Sequence, residues 1–339
     1  MAAPLTTASC FVAAEVGSVH DGSYGNARQL VRVAAQCGAN AIKFQTHIAS
    51  AETLPNAPTP PYFAGEPRYE YFERTAFTAE QWCELKGYCD EHGIEFVSSP
   101  FCEEAVELLE RVGVRRYKIA SGETTNLPLL ELIAQTRKPV LLSSGMSSWA
   151  ELDEAVNTIL TYHGSLAVLQ CTSAYPCRPE DVGLNVMLAM RDRYGLPVGL
   201  SDHTLEPFAS LGAVALGAAV VEKHLTFSRL MYGSDAAHSM EPDEFTALVK
   251  GIRAIETMLA HPVDKNAMAE RLRDMKGIFE KSVASLTDIP AGAVITADMV
   301  GMKKPGTGIP ARKLREVIGR RVRRDVVKDT LLREDDLDA

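Results

Sequence analysis

Eight short runs of apolar and β-branched residues recur along the first two thirds of the chain, at 11–17, 41–46, 94–100, 116–121, 139–145, 166–173, 197–204 and 219–226. Between them lie stretches with the apolar spacing of helices, near 25–37, 79–91, 102–112, 127–136, 149–163, 180–193 and 206–217, and another follows the last run at 242–260. Runs that are apolar on both faces belong in a parallel sheet whose crossovers are helices. Eight such units in about 250 residues predict a TIM (β/α)8 barrel. A doubly wound open sheet is the alternative that periodicity leaves standing.

The polar ends of the runs favour the barrel. They carry Glu15, then Lys43 with Gln45, Ser98 with Ser99, Lys118 with Ser121, and Ser143 with Ser144. Thr172 with Ser173, Asp202 with His203, and Glu222 with His224 complete the set. A barrel brings all eight ends to one mouth, where TIM-barrel active sites sit, whereas an open sheet spreads them along a crevice.

Burying such groups costs several kcal/mol unless something compensates them. His203 and His224 end successive strands at matching depth, about one strand spacing apart. Two neutral imidazoles suit a divalent transition metal completed by water or substrate oxygen; two hydrogen-bonded surface histidines are the plainer alternative. With a metal there, Asp202 and Glu222 are expected nearby. Lys43 and Lys118, unless they snorkel from strand ends, supply a positive pocket, and Ser121, Ser143 and Ser201 add hydroxyls suited to a phosphate or carboxylate. Glu15 and Glu222 fit a structural ion pair, an orienting group or a general base alike.

Such a pocket matters because the chain carries a net charge of −9, which argues against nucleic acid or an anionic membrane as partner. Its 46% hydrophobic and 23% charged residues are those of a globular protein. Seven scattered cysteines with no C-x-x-C spacing read as reduced core thiols. The first residues lack a basic region before their apolar stretch, and no apolar run reaches membrane-span length, so a cytoplasmic protein is expected.

The connection at 47–77 is long and carries six aromatics from Tyr62 to Phe77, as a lid or substrate-binding loop does. The barrel is expected over 1–262 and a helical linker over 263–281. A small β-rich domain over 282–339 has the turn "PAGA" and the loop "KPGTGIP".

Several stretches together resemble the sialic acid synthase family: "AEVGSVHDG" (14–22), "GANAIKFQT" (38–46), "YKIASGETTNLPLL" (117–130) and "PVLLSSGMSSWAEL" (139–152). They continue as "QCTSAYPCRPEDVGL" (170–184), "GLSDHT" (199–204), "VVEKHLT" (220–226) and "SMEPDEF" (239–245), and the C-terminal unit is similar to the family's antifreeze-like (SAF) domain. The resemblance implies condensation of phosphoenolpyruvate with an open-chain aldose to a nine-carbon 2-keto-3-deoxy sugar acid. It implies a divalent ion, Mn²⁺ or Mg²⁺, on His203 and His224. Phosphoenolpyruvate falls to Lys43, Lys118, Ser121, Ser143, Ser173 and Ser201, and the sugar to Gln45, Tyr175, Asp235 and Lys304. Catalytic roles fall to Glu15, Lys43, Lys118 and Glu222, in a homodimer whose C-terminal domains reach over the partner's barrel.

The chain departs from the family's usual pattern at Val19, Asp21, Ser173, Ala236 and Lys304. These changes bear on the acceptor sugar, since a lysine does not replace an arginine's planar fork. Two other readings compete: another phosphoenolpyruvate-dependent ulosonate synthase with a different acceptor, and a non-catalytic sugar-binding protein of polysaccharide assembly.

Overall fold

The structure is a computed structural model that describes residues 9–59 and 66–338. The eight runs form a closed barrel of parallel strands: β1 (Phe11–Gly17), β2 (Ala41–Thr46), β3 (Glu95–Pro100), β4 (Tyr117–Ile119), β5 (Val140–Ser143), β6 (Leu166–Cys171), β7 (Val198–Asp202) and β8 (Val220–His224). Each strand pairs with the next, and β8 pairs back onto β1 with Glu15 opposite His224, which excludes the open sheet.

Strand alternation sorts the side chains. Outward residues such as Ile42, Phe44, Val168 and Leu200 join the main core under the helices. Inward residues fill the barrel in layers. At its floor the wholly buried Arg116 donates to Glu95 Oε1 at 2.6 Å and lies 4.2 Å over the Phe11 ring. Above it Ala13, Ala41 and Val97 pack on one side, and Leu141, Leu169 and Val220 on the other. Gly199 is required in this layer, because a β-carbon there would stand 2.3 Å from the Val220 carbonyl oxygen and 2.5 Å from Leu169 Cδ2. The polar residues form the layer above.

Helices start where the sequence offers caps. Thr78 and Gln81 form a capping box for the helix Ala79–Glu91, and Ser148 with Glu151 does the same for Trp149–Leu160. The strands stop short of several apolar runs: β6 ends at Cys171 and β7 at Asp202, and the residues beyond turn over the mouth. The 47–77 connection contains the helices Ala49–Glu52 and Arg68–Thr75, while Tyr62 and Phe63 lie outside the described residues.

Residues 261–339 form a second compact unit. It contains the helices Lys265–Arg271 and Arg273–Phe279 and an antiparallel pair, β9 (Ser282–Ser285) and β10 (Val300–Lys303). Its own small core gathers Val283, Ile289, Ile295, Val322 and Leu332. Among the described residues no helix is long and apolar enough to cross a membrane.

Candidate active site

A cavity of about 360 Å³ opens at the C-terminal ends of the barrel strands. Strands β1, β2, β4 and β5 send Glu15, Lys43, Gln45, Lys118 and Ser143 into it, and β7 and β8 send Ser201, Glu222 and His224. Ser121, Ser173, Tyr175, His203 and Asp235 enter from the residues beyond the strands. Ser98, Ser99, Ser144, Thr172 and Asp202, also singled out in the sequence, do not line the cavity. Lys304 belongs to the second unit, its ammonium 5.0 Å above the Phe279 ring.

The charged groups form one buried network. Lys43 donates to Glu15 Oε2 at 2.5 Å, and its ammonium lies 3.9 Å from Glu222 Oε1. Lys118 donates to Ser143 Oγ at 2.6 Å and to the Ile119 carbonyl at 3.1 Å, and stands 3.7 Å from Glu222 Oε1. Ser201 donates to the same Glu222 oxygen at 3.1 Å, and Gln45 Nε2 donates to Glu15 Oε1 at 2.9 Å.

Burial sets these groups apart. It raises the Glu15 carboxyl above its usual range, and Lys43 opposes it while Glu222 adds to it. It pushes Lys118 below the ordinary lysine range, since Glu222 offsets only part of the desolvation. Glu222 goes the other way: burial would raise it, but Lys118 and Lys43 together hold it low. The result is a carboxylate kept ionised between two ammonium groups. Glu222 Oε2 and Ser99 Oγ are buried without a hydrogen-bond partner among the described residues, and buried polar groups normally have one.

The two histidines stand with ring centroids 5.3 Å apart. His203 Nδ1 lies 2.9 Å from the Thr172 carbonyl, which can only accept, so Nδ1 carries a proton, and in the neutral ring Nε2, 3.2 Å from the Tyr175 hydroxyl, is the nitrogen left with a lone pair. A backbone carbonyl fixing the tautomer in this way is characteristic of metal-binding histidines. His224 Nδ1 is buried and has no hydrogen-bond partner among the described residues, and burial with His203 beside it holds the ring well below the usual histidine pKa, in the neutral form a metal requires. Among the described residues no third His, Cys, Asp or Glu completes a protein-only ligand set. The pair could hold a divalent ion if water and substrate oxygens completed its coordination.

Asp202 does not belong to this cluster. It ends β7 with the opposite orientation to Ser201, accepts from Ser210 Oγ at 2.6 Å, and pairs with Lys223 Nζ at 3.0 Å. Its charge is balanced by a buried lysine behind the barrel wall, where strand alternation sends the residues next to those that face the cavity. Asp235 reaches over β1 because Gly17, at φ +49°, leaves room: a β-carbon there would stand 2.3 Å from Asp235 Oδ2.

Other cavity residues carried little signal in the sequence. His47 is stacked between Phe72 (3.6 Å, 11°) and Phe101 (4.1 Å, 14°), with Nε2 3.0 Å from Gln45 Oε1. Cys171 lies 3.9 Å from His203 Nδ1; burial alone would raise its thiol, but His203, Ser121 and Lys118 bring it down to about 7. Arg68 comes from the long connection, which has no periodicity from which a side chain's direction can be read. The inward position of Cys171, in contrast, follows from the alternation of β6.

Fold and site define a TIM-barrel protein whose C-terminal face gathers two buried lysines, several hydroxyls and a histidine pair. The chain belongs to the NeuB family, whose model matches residues 30–264, and a SAF domain follows at residues 280–338. It is 35% identical over 334 residues to the N,N'-diacetyllegionaminic acid synthase of Legionella pneumophila, covering 96% of this chain and 93% of that one. It is 34% identical over 336 residues to the N-acetylneuraminate-9-phosphate synthase of Homo sapiens, covering 97% and 93%. Among solved structures, the N-acetylneuraminic acid synthetase of Leptospira borgpetersenii aligns with a TM-score of 0.71 and 30% identity, over 79% of this chain and 91% of that one.

Proposed function

We propose that this protein condenses phosphoenolpyruvate with an open-chain aldose to give a 2-keto-3-deoxy sugar acid and phosphate. The observation that carries the reading is the buried layer in which Lys43 and Lys118 share the carboxylate of Glu222 beside Ser143 and Ser201. Two desolvated ammonium groups among hydroxyls are preorganised for the phosphate and carboxylate of phosphoenolpyruvate, and cost no reorganisation when charge moves. Ser121 and Ser173 extend this set from the loops.

C3 of phosphoenolpyruvate attacks the aldehyde carbon, and the aldehyde oxygen takes up a proton. Water then adds at C2 and gives its proton to Glu222, held as a carboxylate with one oxygen unpartnered. The C2–O bond to phosphate breaks as the keto group forms; the C2 hydroxyl proton leaves with the phosphate, and the proton on Glu222 makes good the one taken up by the aldehyde oxygen. Lys43 and Lys118 neutralise the anionic oxygens throughout. Glu15, Gln45, Tyr175 and Asp235 take the sugar hydroxyls. His203 and His224 would hold a divalent ion, Mn²⁺ or Mg²⁺, which would supply Lewis-acid polarisation of a carbonyl oxygen.

The relatives' names differ in the sugar acid, at 35% and 34% identity, so likeness alone does not select the acceptor. The protein acts as a homodimer, with Lys304 of each C-terminal domain bordering the partner's sugar site. The test is phosphoenolpyruvate consumption by the purified protein with Mn²⁺ and a panel of hexosamines. Consumption that needs an aldose and stops on chelation supports the reading. Sugar binding without consumption favours a non-catalytic protein.

A further inference from the structure

The long connection after β2 brings into the cavity one cation that the chemistry above does not use. Arg68 begins the helix Arg68–Thr75, is partly exposed, and lines the cavity. The other cavity cations are engaged, Lys43 by Glu15 and Lys118 by Ser143 and Glu222. The guanidinium of Arg68 forms no ion pair among the described residues and lies 5.2 Å over the Phe72 ring.

The neighbouring acids do not cancel its charge. Glu52 is occupied by His47 Nδ1 at 2.7 Å. Glu123 accepts from Asn126 Nδ2 at 2.9 Å, and burial raises its carboxyl towards the neutral form.

The position of Arg68 is fixed by a column of contacts. Gln45 donates to Glu15 at the end of β1, His47 meets Gln45 at 3.0 Å, Phe72 stacks on His47 at 3.6 Å, and Arg68 covers Phe72. The column rises from the charged layer at the strand ends to the helix of the long connection. Its first members are the groups assigned to the sugar.

We propose that Arg68 binds an anionic substituent, a phosphate ester or a carboxylate, at the end of the acceptor sugar remote from its aldehyde. The inference rests on the synthase reading above. A planar guanidinium presents two parallel donors to either group, and both are fully charged at neutral pH or nearly so.

The test compares N-acetylmannosamine, its 6-phosphate and a hexuronic acid analogue as acceptors for wild type, Arg68→Gln and Arg68→Lys, by phosphoenolpyruvate consumption. Wild type should prefer one anionic acceptor over the neutral sugar, and which of the two identifies the anion. Arg68→Gln should lower kcat/KM for that acceptor on the order of 10- to 100-fold, as expected for a lost charged hydrogen bond. Its loss on the neutral sugar should be at least about tenfold smaller, and Arg68→Lys should recover part of the preference. Equal use of neutral and anionic acceptors by wild type, or equal losses on both in Arg68→Gln, overturns the inference and leaves the synthase reading intact. A raised KM for phosphoenolpyruvate in Arg68→Gln assigns the arginine to the other substrate and likewise overturns it. No consumption with any acceptor removes both.

Discussion

Lys118 shows how one buried residue can be tested apart from the fold. It holds Ser143 and stands beside Glu222, but desolvation leaves its charge only partly compensated. An anionic substrate completes that compensation. Lys118→Ala should therefore raise KM for phosphoenolpyruvate on the order of 10- to 100-fold, with a much smaller change for the sugar. Steady-state kinetics with each substrate varied in turn checks this, and an unchanged KM for phosphoenolpyruvate removes Lys118 from the phosphate site.

His20 makes a different kind of claim. It is buried against Phe77, with ring centroids 4.4 Å apart, and its Nδ1 accepts from the Gly22 N–H at 3.2 Å. Burial, with His47 nearby, lowers its pKa to about 3. The unfolded chain binds this proton near pH 6.5 and the folded one does not, so the contribution is intact above about pH 6.5 and declines as pH falls towards 3. Between pH 6.5 and 5 the loss is about 2 kcal/mol. Denaturant melts of wild type and His20→Gln should show a shallower decline in the variant over that interval. Parallel declines would mean that His20 is protonated in the folded state.

At the scale of elements, the β7–β8 edge joins the fold to the site. Lys223 donates to Asp202, to the Thr204 carbonyl and hydroxyl, and to the Glu206 carbonyl, so one buried lysine ties down the segment that carries His203. Lys223→Met leaves Asp202 buried and unpaired, which should destabilise the protein by about 3–5 kcal/mol. Asp202→Asn on that background should restore part of the loss. Calorimetry or denaturant melts of the single and double variants decide it, and a double variant no more stable than Lys223→Met would contradict the pairing.

The same edge shows what the sequence could and could not reveal. The eight strands were legible because each is a short apolar run between helical repeats. Lys43 and Gln45, or Ser201 and His203, share the cavity because they are two residues apart. "SDHT" read as a single polar cluster hides that alternation, so Asp202 was expected with the histidines and instead faces Lys223. Arg68 and His47 escaped notice because their positions depend on how an aperiodic connection folds back on itself. Aromatic stacking on Phe72 and Phe101, rather than any repeat, settles that path.

At the scale of the whole molecule, the two compact units raise the question of what the smaller one does. Its core is small, as expected for a domain near the lower size limit for folding alone. If it completes a partner's sugar site, a chain lacking residues 282–339 should lose both dimerisation and most of its turnover. Sedimentation and steady-state assays of the truncated protein test this, and a fully active truncated dimer would contradict it.

In the proposed function, carbon joins carbon between phosphoenolpyruvate and an aldose in the mouth of this barrel. Phosphoenolpyruvate labelled with ¹³C at C3, incubated with the protein, Mn²⁺ and an acceptor panel, reports this bond directly by NMR. The label is expected in a methylene group bonded to the former aldehyde carbon, with one phosphate released per product and none after chelation. Label that stays in phosphoenolpyruvate with every acceptor, or appears only in pyruvate, would contradict it.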